Sequence, residues 1–119
     1  MSDYTSQIGS VLDKVVAGSK GIMGMIDQML YKSLVGFLKS DDYEAVATAL
    51  DQLTKEKKNI SIPPIYFVAK AHPNERARAK AAECLKAFGQ DQKISELTAG
   101  KNVQDATHAL INEYGNFKG

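Results

Sequence analysis

Cysteine occurs once in this chain, at Cys84. A single thiol excludes an internal disulfide and fits a reducing compartment, so a cytoplasmic location is the expectation. An excess of charge of either sign is also missing. Fifteen basic residues stand against fourteen acidic ones, a formal net charge of +1. No global field therefore selects for nucleic acid or for an anionic membrane. Long apolar runs are absent too. No window approaches the roughly 18 consecutive apolar residues that a spanning helix needs, and no transmembrane segment is expected. The opening Met1-Ser2-Asp3-Tyr4 has neither a basic region nor an apolar run of the secretory type, so no leader is expected. Proline is confined to positions 63, 64 and 73, which leaves most of the chain free to be helical.

What is present is an ordinary globular composition. Of the 119 residues, 44% are hydrophobic and 24% charged, enough for one core and too few for two, which predicts a single helical domain over 1–119. Apolar residues recur at helical spacing nearly throughout. Ile8, Val11, Leu12, Val15 and Val16 make one stripe. Ile22, Met25, Ile26, Met29 and Leu30 make a second, continuing through Leu34, Phe37 and Leu38. Asp41, with Glu44 three residues on, reads as an acidic capping box for a third helix, whose inward face is Val46, Ala49, Leu50 and Leu53. That helix is expected to fray into the lysine-rich stretch 54–61.

Pro63-Pro64 suits a helix entrance, because the first turn needs no N–H donors there. Residues 65–71 then form a short helix stopped by Pro73. Asn74 opens a longer one with Ala77, Ala81, Cys84, Leu85 and Phe88 inward, closed by Gly89. A last pair covers 93–98 and 102–114, with Val103, Ala106, Leu110, Ile111 and Tyr114 inward. Residues 116–119 read as a loose tail. Strand signals such as Ile65-Tyr66-Phe67-Val68 are outweighed by the prolines and by the surrounding helical period. The fold class is all-α.

Three stretches, 34–53, 65–89 and 94–115, can be overlaid, each a short apolar helix, a polar break and an alanine-rich amphipathic helix. Leu85, Phe88 and Gly89 fall on Ile111, Tyr114 and Gly115. The segment NERARAKAAECLKAFG (74–89) resembles the second helix of a HEAT-type repeat, and LVGFLKSDDYEAVATAL (34–50) resembles a first helix, its acidic turn and a second helix. The resemblance runs from Leu34 to the end of the last unit. It implies a short right-handed stack of antiparallel helix pairs over 34–115, with the helices of 1–39 as an N-terminal cap. An irregular helical bundle is the alternative. The chain departs from the pattern at Asp42, which takes the place of a buried aliphatic residue, and at Thr107 and His108, which replace alanines. No glycine ends the first unit.

Reactive chemistry has little to stand on. His72 and His108 have no cysteine or carboxylate around them at metal-ligand spacing, so neither a metal site nor a cofactor is expected. His72, just before Pro73, reads as a solvated loop residue, and His108 as lying on an exposed helix flank. Cys84 falls at a core position, where a thiol is inert. Gly18, Gly21 and Gly24 in GSKGIMG match neither the dinucleotide nor the Walker pattern, and read as a helix junction. The methionines Met23, Met25 and Met29 read as core, with Met23 off the stripe.

The exposed sides of the second helices remain. Tyr43, Glu44, Arg76, Lys80, Glu83, Gln104 and Asp105 are expected to project as a mixed-charge strip. In HEAT-type stacks this helix lines the concave side, so the resemblance implies a surface for a polar protein partner. The expectation is a noncatalytic interaction module, an adaptor, assembly factor or regulator, with homodimerisation as a further possibility. Two rivals belong to other classes. A HEAT-type lyase or glycosylase would need a pocket gathering His108, Asp105 or Glu83. A nucleic-acid binder, disfavoured by the charge balance, would need Lys55, Lys57, Lys58, Arg76, Arg78 and Lys80 on one face.

Overall fold

The structure is a computed structural model that describes residues 36–38, 40 and 42–114. The stripes of 8–16 and 22–34, the glycines of 18–24, the three methionines, Asp41 and the tail lie outside the described residues. Among the described residues five α-helices and one 3-10 turn account for most of the chain, and no strand is present.

Of the helices whose bounds are described, α1 spans Tyr43–Glu56. Its cap is Asp42, whose carboxylate accepts from the Ala45 N–H at 3.3 Å, while its own N–H donates to Ser40 Oγ at 2.9 Å. This corrects the expected Asp41 box. With the cap at Asp42 the third helical position is Ala45, so Glu44 cannot reach back. It sits exposed in the first turn, where its charge favours the helix dipole. The predicted face is the buried one: Val46, Ala49, Leu50 and Leu53. In place of a terminal glycine, Lys57 takes the left-handed conformation (φ 52°, ψ 40°), and its N–H closes on Leu53 O at 3.0 Å.

The lysine-rich stretch does more than fray from the end of α1. A 3-10 turn, Asn59–Ser61, buries Ile60 and Ser61 and runs directly into α2, Ile62–Ala71. Pro63 and Pro64 occupy its first turn, as expected. Every residue from Ile62 to Val68 is buried, the pattern of a helix surrounded by others. Phe67 heads the fully buried side chains by volume.

Pro73 ends α2 by forcing His72 into extended backbone (φ −62°, ψ 136°). Asn74 then caps α3, Glu75–Lys86, accepting from the N–H groups of Arg76 (2.8 Å) and Ala77 (3.2 Å). A three-residue connection between packed helices folds α3 back onto α2. Ala77 and Ala81 have no exposed surface, and their size permits that close approach. Phe88 is only half-buried, and Gly89 supplies the positive φ (69°) at the exit.

The remaining pair is α4, Asp91–Thr98, and α5, Val103–Tyr114. Ile94 is the one buried side chain of α4. Asn102 accepts from the Asp105 N–H at 2.8 Å, and α5 buries Ala106, Thr107, Leu110 and Tyr114, leaving Val103 and Ile111 half-buried. Thr107 fits a core position because its hydroxyl donates to Val103 O at 2.7 Å. The helix neighbours are α1 with α3, α3 with α2, and α5 with both α2 and α4. The central element is thus α2.

Candidate interaction surface

Arg76, Ala79, Lys80 and Glu83 are spaced so that they share one side of α3. That side faces the start of α1. The Arg76 guanidinium lies 4.2 Å from the centroid of the Tyr43 ring, within the range where the ring's negative face attracts a cation. Tyr43 is half-buried against the core, so the ring is a fixed platform and Arg76 is exposed above it. One helical turn on, Lys80 Nζ meets Asp51 Oδ1 at 2.8 Å. That hydrogen bond raises the Lys80 pKa above 10.5, with partial burial opposing it. The Lys80 side chain is 26% exposed and that of Asp51 67%, so solvent screens the pair and its contribution to stability is at most about 1 kcal/mol.

Tyr43, Arg76, Ala79, Lys80 and Glu83 together line a depression of about 290 Å³. The structure therefore brings together four of the seven residues singled out from the sequence. Glu44 is exposed on the first turn of α1 but does not line it. Gln104 and Asp105 are exposed on the first turn of α5, whose helix neighbours are α2 and α4. Two participants escaped the sequence reading. Ala79 carries no chemistry to flag it, although its spacing from Arg76 was available. Asp51 is an exposed carboxylate beside buried Leu50, and only the packing of α1 on α3 pairs it with Lys80.

Chemically the arrangement suits recognition. A guanidinium lying against a phenol ring still has N–H groups with which to grip a carboxylate. The reactive groups are placed elsewhere. Cys84 is buried, with its thiol directed at Leu50 O (4.0 Å). His72 is not solvated, contrary to its reading as a loop residue: it is 0% exposed, with both ring nitrogens in hydrogen bonds. His108 is half-buried on α5 rather than openly exposed. Arg78 donates from Nη1 to His72 O at 2.6 Å and so braces the α2–α3 turn. Lys55 and Lys57 are exposed at the end of α1, and Lys58 is half-buried. Among the described residues, no three His, Cys, Asp or Glu side chains are grouped to hold a metal ion. None of the described helices is long and apolar enough to cross a membrane. Comparison of the chain with protein-family models, with curated proteins and with solved structures found no match.

Proposed function

We propose that this protein is a noncatalytic interaction module, a short stack of helix pairs resembling the HEAT type that holds a protein partner against the α1–α3 face. The observation that carries the reading is Arg76 stacked on Tyr43 above a depression shared by two helices. An arginine and a tyrosine held together at a surface are the residue types that dominate protein interfaces. Two further cations are already engaged, Arg78 by a backbone carbonyl and Lys80 by Asp51, which weakens the competing picture of a phosphate-binding face. The helix pairs α2–α3 and α4–α5, with α1 beside α3, support the stacked arrangement.

The test is affinity capture with the full chain and with Arg76→Glu, both checked for equal thermal stability. Proteins retained by the parent and lost with the charge-reversed variant support the proposal. Retention of the same set by both, or of nothing by either, refutes it. Sedimentation of the parent alone reads out whether the partner is a second copy.

A further inference from the structure

A second concavity lies on another flank of α3, between the α2–α3 hairpin and α4. It has a volume of about 340 Å³ and is lined by residues of all three helices. Its apolar lining is Tyr66 and Ala69 from α2, Ala82 and Leu85 from α3, and Ile94 from α4. Tyr66, Leu85 and Ile94 are each below 10% exposed, so these side chains are fixed by the core beneath them. The groove persists because α4 packs chiefly on α5 and does not close down on the hairpin.

Its rim is cationic. Lys70 and Lys86 stand exposed in the last turns of α2 and α3. Lysines there favour the helix dipoles, yet neither has a carboxylate partner among the described residues. Lys70 instead lies over the Tyr66 ring, 5.7 Å from its centroid. Asp91 is the single acidic residue of the lining, and Ser95 and Thr98 complete the α4 side. An apolar floor between two ammonium groups that have no carboxylate partner among the described residues is complementary to a segment with large apolar side chains flanked by carboxylates. The volume, near the lower end of the roughly 300–1,000 Å³ of ligand clefts, accommodates side chains of such a segment.

We infer that the α2–α3–α4 groove is a docking site for an acidic, apolar peptide segment of a partner protein. The inference uses a different flank of α3 and does not depend on the Tyr43–Arg76 depression. Lysine ammoniums at the rim supply orientation and a salt-dependent on-rate, while the floor supplies burial of apolar area.

The experiment is selection from a random peptide display library on the immobilised full chain, followed by fluorescence polarisation of recovered peptides. The expected peptides pair large apolar residues with Asp or Glu, and they bind more weakly as salt is raised. They should bind the double variant Lys70→Glu, Lys86→Glu about tenfold or more weakly, and Ala82→Glu similarly, because each places negative charge at or in the groove. All three positions are exposed, so the variants should keep the parental circular dichroism. Arg76→Glu should leave these affinities unchanged, which separates this site from the α1–α3 face. Recovery of no peptide, of peptides without acidic residues, or of peptides indifferent to charge reversal overturns the inference. So does binding of the parent to phosphatidylserine vesicles that the double variant abolishes, or a dimer that it dissolves.

Discussion

His72 Nε2 lies 2.9 Å from the carbonyl oxygen of Ser40, tying the segment before α1 to the turn after α2. The other ring nitrogen accepts the Asn74 N–H at 2.9 Å. A carbonyl on one side and an N–H on the other assign a neutral ring with its proton on Nε2. His72→Ala therefore leaves a cavity and takes a hydrogen-bond partner from two part-buried backbone groups, Ser40 C=O and Asn74 N–H. A loss of about 2–4 kcal/mol is expected in urea unfolding. A midpoint within error of the parent would show that the clamp contributes nothing.

Alkaline pH should weaken the fold through Tyr114 and Lys80. Burial raises the Tyr114 phenol above its ordinary 10.0, and the bond to Asp51 raises Lys80 above 10.5. In both cases the folded state holds its proton more tightly than the unfolded chain. Their stabilisation is thus complete below the unfolded values and is lost as pH climbs through the folded ones. Thermal unfolding followed from pH 8 to 11 should show a falling Tm above about pH 10. Tyr114→Phe, which gives up the bond from its hydroxyl to Gln90 Oε1 (3.2 Å), should flatten that fall. An unchanged slope in the variant would remove Tyr114 from the explanation.

Thr54 Oγ1 is buried without a hydrogen-bond partner among the described residues. Valine keeps the shape and removes the unsatisfied hydroxyl, so Thr54→Val should stabilise by about 0.5–1.5 kcal/mol. Chemical denaturation measures it directly, and a destabilised variant would mean that the hydroxyl is satisfied in solution.

Lys57 holds a left-handed conformation that penalises a side chain with a Cβ by about 1–2 kcal/mol. Glycine removes the penalty but adds freedom to the unfolded chain. A net gain of roughly 0.5 kcal/mol is expected for Lys57→Gly, with the unfolding m-value unchanged. A loss of stability would instead show that Lys57 contributes through its side chain.

Where helical period set the burial, sequence and structure agree. Val46, Ala49, Leu50 and Leu53, and likewise Ala77, Ala81 and Leu85, are inward because spacing alone puts them on one side. Asn74 and the proline pair were legible for a local reason, since capping and first-turn chemistry act within a few residues. His72 was misread because the partner of its Nε2, Ser40, is 32 residues away, and the local bond from Asn74 to its Nδ1 does not by itself bury a ring. Ile60 and Ser61 were hidden in a lysine-rich stretch whose polarity pointed outward. The candidate surface divided along the same line. Arg76, Lys80 and Glu83 share one helix side by spacing, whereas Gln104 and Asp105 were joined to them only by overlaying units, and α5 packs on α2 and α4.

The contrast between α2 and α4 sets how tightly each segment protects its amides. Residues 62–68 are buried without a break, so the amide hydrogens of Ile65 to Val68 should exchange with solvent only when the whole molecule opens. In α4, anchored by Ile94, exchange should proceed through a smaller, local opening. The two walls of one groove thus belong to different tiers of protection. A segment bound between them would lend the slow exchange of the inner wall to the outer one.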